Sequence, residues 1–418
     1  MGMSEPSRRA RDGPVVDPLG SPLAPSSALP PLPRLCFVVE SGTDVRLVDG
    51  LSRYFDVTVL ARRIAGGVEV NHPPLAPVRL SVGPQSRFRF AFRVLRSLAA
   101  GQRRFDFVLV QGYSVAALAA NLAGILARMP GAMLICSPIE RYYMCRRGRC
   151  YPGKPFRRLE LFGLRFLARL NAWCRRPYLV LSRHLEQVVR GHGARSPIRL
   201  LPLYGVDTDI FRPAAVPRNE LRARLGLPPD GALLFFSSRI APEKDTETLL
   251  DAVRLLRRAG RAVWVVNLSG GYEQFLGAAK VLGVADRVVA ANAIRPNLDL
   301  CAYYQASDLC VQASREEGLG FSPLEALACG VPVVAASVGG LTENIVDGET
   351  GWTYPVGDAT VLASRIAEVL ENPEEGARRA MNGRALVCER YSSRRVFEQF
   401  VDFVQDQLEA QRRRRGSG

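Results

Sequence analysis

Short apolar runs alternate along this chain with longer segments of helical period. LCFVVE (35–40), DVTVL (56–60), DFVLVQ (106–111), AMLICS (132–137) and YLVLS (178–182) are apolar over most of their length. Helical stretches separate them, the first ending near Tyr54. Strands without a polar face are buried on both sides, as in a parallel sheet covered by helices. A loop-like segment with Gly and two Pro, 203–220, interrupts the pattern, which then restarts. Strands are expected at 232–238, 262–268, 287–291, 308–314 and 331–337. Helices are expected at 245–258, 272–282, about 297–305, and 322–329. The prediction is an α/β chain of two doubly wound Rossmann-like domains facing each other across a cleft, with ligands at the carboxyl ends of the strands. Residues 1–33, rich in Pro, Ser, Arg and Ala, are expected to be a disordered tail. The domains are expected at 34–205 and 206–390, and 391–418 as a C-terminal helix with a basic tail. In that helix Phe397, Phe400, Val401, Val404 and Leu408 form an apolar face that must pack on something.

Composition narrows the classes. A hydrophobic share of 47% excludes a wholly disordered chain. No window reaches the roughly 18–20 uninterrupted apolar residues of a membrane span. The N-terminus lacks the apolar core of a secretory signal, so a cytoplasmic location with reduced thiols is expected. The nine Cys are scattered, with Cys145 and Cys150 as one close pair among Arg, Gly, Tyr and Met. Zinc would need two further ligands there, and no metal is expected.

Charge divides the chain. Residues 1–210 hold 31 basic and 14 acidic side chains, whereas 211–418 hold 25 and 26. The whole net charge of +16 therefore sits in the first half, which points to an acidic partner for that half. Lysine occurs only at 154, 244 and 280, so each is worth inspecting.

The stretch SREEGLGFSPLEALACGVPVVAASVGG (314–340) is the most informative. A strand ends near Ser314, a loop carries Glu317, Gly318, Leu319, Gly320 and Phe321, and a helix begins near Ser322-Pro323. Glycines let backbone approach a ligand, and a helix start offers N–H groups to a phosphate. Glu317 and Glu325, seven residues apart, can accept hydrogen bonds from hydroxyls of one ligand. On the residues alone, a Gly-rich turn with two solvated carboxylates is an equal reading.

The same stretch resembles the retaining glycosyltransferases of the GT-B fold, family 4, whose hallmark is two Glu flanking seven residues, an Ala-rich helix, G-x-P-V and a Gly-Gly turn. SSRIAPEKDTETLLDAVRLL (237–256) is similar to the family segment in which an Arg and a Lys face the donor diphosphate, here Arg239 and Lys244. YGVDTDIFRP (204–213) resembles the family hinge, with Tyr204 where Asn is usual. LGVADRVVAANAIRPNLDLCAYYQASDL (282–309) resembles the stretch that closes over the base, with Ile294 as the apolar contact. These matches cover about residues 178–375.

The resemblance implies transfer of a sugar from a nucleotide-sugar, UDP- or GDP-linked, to an acceptor hydroxyl with retention, and without a cofactor. Arg239, Lys244 and Glu317 take the catalytic roles. Glu325 takes the ribose, and backbone N–H groups of Leu319, Gly320 and Phe321 take sugar or phosphate. Two departures stand out. The first loop, ESGTD, has a single Gly42 where the family has a pair facing the donor phosphate. No His follows the central strand of the first domain, where Ser137 and Glu140 remain as candidates toward the acceptor or donor sugar. His72, His184 and His192 read as ordinary loop or helix residues.

Two segments of the first half, 87–105 and 141–176, are basic, apolar and aromatic together. Such segments suit an anionic membrane surface, peripheral on the inner face, that would present a lipid-linked acceptor. They equally suit helices that cover the sheet while exposing Arg, with a soluble sugar or polysaccharide as acceptor. A sugar-nucleotide epimerase would need catalytic acids in the first half, which is poor in them. A nucleic-acid-binding role lacks any motif to carry it, so no nucleic-acid partner is expected.

Overall fold

Eight strands of the first half assemble into one sheet: β1 Arg34–Val39, β2 Asp56–Ile64, β3 Gly67–Val68, β4 Arg79–Gly83, β5 Phe107–Gln111, β6 Gly131–Ile135, β7 Tyr178–Val180 and β8 Ile198–Leu200. Their order is β3-β2-β1-β5-β6-β7-β8, with β4 also paired to β2. Every pairing is parallel except β2 with β3. The computed structural model describes residues 32–40, 43–64, 67–68, 78–99, 104–149, 158–268, 272–290 and 298–416. Most of the expected N-terminal tail lies outside them.

The central strands are buried throughout, as their unbroken apolar sequence requires: β6 has no exposed residue and β1 only a half-buried Arg34. Helices α1 Val45–Ser52, α2 Arg87–Ala99, α3 Val115–Leu126, α4 Ile139–Arg149, α5 Arg158–Trp173 and α6 Arg183–Gly191 connect these strands. Asp44, Ser114 and Ser182 cap α1, α3 and α6 by accepting backbone N–H bonds. Three short strands of this sheet, β3, β4 and β8, are absent from the sequence reading, as is the strand Trp352–Tyr354 of the second sheet. β4 and β8 are edge strands with half-exposed residues, so their sequences carry no apolar run.

The second sheet is wholly parallel and contains β9 Ala232–Phe236, β10 Val263–Asn267, β11 Val288–Ala290, β12 Leu309–Gln312, β13 Val333–Ala336 and β14 Trp352–Tyr354. Its order, β11-β10-β9-β12-β13-β14, is that of a doubly wound dinucleotide-type fold. Helices α7 Arg218–Leu225, α8 Thr246–Arg258, α9 Tyr272–Val281, α10 Leu298–Ala306, α11 Phe321–Ala328, α12 Ala359–Glu371 and α13 Pro373–Leu386 accompany it. Two doubly wound sheets are thus present as the alternation predicts.

The last helix, α14 Ser393–Gly416, does not stay with the second sheet. It crosses back to the first, where Phe397 stacks on Tyr54 with centroids 6.3 Å apart, and Phe400 meets Phe55 edge-on at 5.5 Å. Gly50 of α1 makes room, because a Cβ there would stand 2.0 Å from the Phe397 ring. The apolar face of α14 therefore ties the end of the chain to its beginning.

Candidate active site

Between β9 and β12 the strand order of the second sheet reverses, which opens a crevice at their carboxyl ends. β9 leads into Ser237, Ser238 and Arg239, then a 3-10 turn at Pro242–Lys244 before α8. β12 leads into Ser314, Glu316, Glu317 and Gly318, and α11 starts after Gly320. Gly320 has φ of 91°, a conformation that a Cβ would strain. A Cβ on Gly340 would stand 2.2 Å from the Gly318 carbonyl oxygen, so the Gly-Gly turn after β13 lets that turn close on the loop. Both loops border a cavity of about 320 Å³, to which the first half adds Asp44, Cys136, Leu181 and Tyr204.

Glu317 is nearly buried and held from four directions. It pairs with Lys244 Nζ, and accepts hydrogen bonds from Ser314 Oγ at 3.0 Å, Gln312 Nε2 at 3.1 Å and Tyr142 Oη at 3.3 Å. Ser238 Oγ donates in turn to Gln312 Oε1 at 3.2 Å, so β9 and β12 jointly fix the carboxylate. Tyr142 comes from α4, on the opposite domain. Burial, with the nearby Glu317 and Glu243 charges, pushes its phenol well above the usual range, so it acts as a donor.

Glu243, one residue before Lys244, is fully buried. Arg146 of α4 donates to it at 2.7 and 3.1 Å, and Arg239 at 2.9 Å. Burial raises its pKa, but the Arg146 bonds and the two guanidinium charges outweigh this and hold the carboxyl below its ordinary value. Arg239 keeps most of its side chain open to solvent, at 60% exposure, and can turn toward a ligand.

Glu325 behaves differently. It is buried on α11, accepts from Tyr304 Oη at 3.0 Å and pairs with Arg46 across the cleft. Arg46 is simultaneously bonded by Asp44, the cap of α1, at 2.6 to 3.0 Å. Burial raises the pKa of Glu325 above its ordinary value, against the lowering effect of Arg46 and Tyr304. Burial would lower that of Arg46, but Glu325 and Asp44 more than compensate.

A third set of contacts joins the domains at the start of α6. Ser182 Oγ donates to the Gly318 carbonyl at 2.5 Å. The Glu343 carboxylate accepts from the backbone N–H of Arg183 at 3.0 Å and of His184 at 2.8 Å. His184 Nε2 lies 2.7 Å from Glu316, which Arg141 also approaches at 3.3 Å.

The expected residues thus divide. Arg239, Lys244, Glu317, Leu319, Gly320 and Phe321 converge on one cavity. Glu325 does not line it and faces Arg46 and Tyr304. Ser137 and Glu140 are not brought there: Glu140 is bonded by Arg165 at 2.9 Å and lies 2.5 Å from His192 Nε2, along a separate hollow. The neighbour of Ser137 that does reach the cavity is Cys136, whose thiol burial pushes up to about 12. Gly42, Ile294, His72 and Cys150 fall outside the described residues. His184 and His192, expected as ordinary loop or helix residues, lie in α6 and at its C-terminal cap, and each also meets a carboxylate. Asp207 caps its own turn, accepting from the N–H of Asp209 at 3.1 Å. Arg46, Tyr142, Arg146 and Gln312 were missed; no local motif marks them, because each is defined by the carboxylate it meets in space. Among the described residues no group of three or more His, Cys, Asp or Glu could hold a metal ion.

Residues 217–386 match the family model described as Glycosyl transferases group 1. A D-inositol 3-phosphate glycosyltransferase of Thermobispora bispora is 37% identical over 181 residues, 41% of this chain and 42% of that protein. A GDP-mannose-dependent alpha-(1-6)-phosphatidylinositol monomannoside mannosyltransferase of Mycolicibacterium smegmatis is 32% identical over 215 residues, 49% of this chain and 56% of that one. The matched stretch spans about half the length of these curated relatives. Sucrose-phosphate synthase of Thermosynechococcus elongatus has the same fold, with a TM-score of 0.73 over 90% of this chain and 100% of its own, at 20% identity. HepE of Anabaena, solved in complex with UDP-glucose, follows with 0.69 over 89% and 99%, at 18% identity. The second half therefore carries the signature of the group 1 glycosyl transferases, and the described chain as a whole has the GT-B architecture.

Proposed function

We propose that this protein is a metal-independent glycosyltransferase that moves a sugar from a UDP- or GDP-sugar to a hydroxyl of a glycolipid-type acceptor, with retention of configuration. The Lys244–Glu317 pair at the strand-order reversal, with Arg239 beside it, carries the reading. A cation and a carboxylate that satisfy each other at the cavity wall are the two groups a sugar diphosphate needs. Lys244 and Arg239 neutralise the diphosphate, and Glu317 accepts from sugar hydroxyls. The bond from the anomeric carbon to the phosphate oxygen breaks, and its electron pair leaves with the nucleoside diphosphate. The acceptor oxygen then attacks from the face just vacated and passes its proton to that phosphate oxygen. Preorganised cations at the developing charge are the main source of rate in this scheme. Glu325 is assigned to the ribose, in exchange for Arg46. The names of the inositol-phosphate and phosphatidylinositol-mannoside relatives support an acceptor of that chemical type.

The test is a screen of nucleotide-sugars for release of nucleoside diphosphate in the presence and absence of acceptor. Acceptor-dependent release, an anomeric configuration unchanged by NMR and indifference to EDTA are expected. Lys244→Ala should lower kcat/KM on the order of 10²- to 10³-fold while the protein still melts cooperatively. Unaltered turnover in that variant, or an epimerised sugar formed without acceptor, overturns the reading.

A further inference from the structure

Helix α3 lies between α2 and α5 and packs on both. One stripe of α2 is buried, through Phe90, Ala91, Val94 and Leu98. One stripe of α5 is buried through Leu161, Ala168 and Ala172, and Asn121 of α3 donates to Asn171 at 3.0 Å. Among the described residues the opposite stripes of α2 and α5 stay exposed, and they are apolar too. On α5, Leu159, Phe162, Phe166 and Trp173 are spaced three, four and seven apart, which puts them on one helix face. They are 80%, 63%, 53% and 79% exposed, and Phe162 stacks on Phe166 with centroids 6.2 Å apart. Phe88 and Phe92 of α2 are 76% and 61% exposed. Between the two helices stands Leu126, at 82%, at the end of α3. Among the described residues, the second sheet's helices show nothing comparable; their exposed large apolar residues, such as Val281 and Met381, are isolated. Scattered apolar residues need no explanation, whereas a strip across three adjacent helices does.

Charge identifies what covers it. α2 carries Arg87, Arg89, Arg93 and Arg96 and no acid. α5 carries Arg158, Arg165 and Arg169 with a single Glu160, which Tyr143 of α4 already bonds; of the three, Arg165 pairs with Glu140 of α4. A second copy of this chain would bring the same arginines face to face around a two-fold axis. An anionic bilayer surface takes both components, rings at the headgroup level and guanidinium groups on phosphate. The position suits the chemistry: neighbouring Tyr142 and Tyr143 of α4 reach Glu317 in the cavity and Glu160 on α5 respectively.

We propose that the outer face of α2, α3 and α5 docks on an anionic lipid surface. The proposal names the partner that would present the lipid-linked acceptor and rests on the preceding reading for that purpose alone.

The full chain should co-sediment with vesicles of phosphatidylcholine mixed with phosphatidylglycerol, and far less with phosphatidylcholine alone. Tryptophan emission should shift to the blue on binding, since Trp173 is the exposed tryptophan while Trp352 is buried. The double substitution Phe162→Ser and Phe166→Ser should weaken binding about tenfold or more. Its melting temperature and the increment produced by the nucleotide-sugar should stay as in the parent, because neither ring belongs to a core cluster. Failure of the parent to bind the anionic vesicles, or equal binding by the double variant, overturns the proposal. So does a parent dimer that becomes monomeric on this substitution, which would assign the face to a second copy. Vesicle binding without any nucleotide-sugar response would leave this surface standing and remove the glycosyltransferase reading instead.

Discussion

The two halves follow one architectural plan and bring opposite charges to the cleft between them. The second half contributes the carboxylates Glu243, Glu316, Glu317 and Glu325. The first half answers with Arg146, Arg141 and His184, Tyr142, and Arg46. The positive excess of the first half, which in the sequence points outward to an acidic partner, is thus partly used inside the molecule. Within the second half Lys244 pairs with Glu317 and Arg239 with Glu243, and the first half adds Arg146, Arg141, His184 and Arg46 to the carboxylates Glu243, Glu316 and Glu325.

That contrast can be broken at several points. The largest stability loss should come from Phe400→Ala, which opens a cavity where α14 crosses onto the first sheet; about 3–5 kcal/mol is expected in denaturant unfolding. A loss confined to the second sheet, with the first intact, would contradict the docking of α14 described above. Next comes Arg46→Leu, which leaves the buried Glu325 without its cation, at a cost of about 3 kcal/mol. Adding Glu325→Gln should recover more than half of that loss, and a double variant no better than the single would dissolve the coupling.

Acidity should sharpen the same comparison. The pKa of Glu325 is raised on folding, so it favours the native state most when protonated and loses that contribution as pH climbs from the ordinary carboxylate range. The Arg46→Leu deficit should therefore be greatest near neutrality and shrink in acid. Glu243 has the opposite sign. Its pKa is lowered, so its contribution is present above the ordinary carboxylate range and disappears as pH falls through its native value. Arg146→Ala should flatten that acid limb and cost the least, about 1 kcal/mol, because Arg239 still bonds Glu243. Urea midpoints measured across pH for both variants would reveal whether the two limbs separate.

The legible part of the site was the part written locally. Lys244 sits in a continuous loop after β9, and Glu317 and Gly320, with Phe321 at the start of α11, in another after β12 whose glycines are visible in the residue order. The strands legible in the sequence were those with an apolar run; β4 and β8, at the edge, have none, and β14 is only three residues long. Glu140 was misplaced because following a strand end is a local property, whereas facing a given cavity is not. Its carboxylate is instead held by Arg165 of α5 and His192 of α6, elements 25 and 52 residues away.

The order of residues already held the two alternations of strand and helix and the glycines of the loop after β12, whereas the strand order and its reversal between β9 and β12 came from the tertiary structure. Burial and backbone geometry act over a few residues and leave a local trace. Only the tertiary structure decided the partners of the carboxylates: Arg46 lies 279 residues from Glu325 and Arg146 lies 97 from Glu243. It alone returned α14 to the first sheet and left the aromatic stripe of α5 outside. An apolar stripe states that it needs cover, and a buried charge that it needs a counter-charge. Which element supplies either depends on how all the others pack.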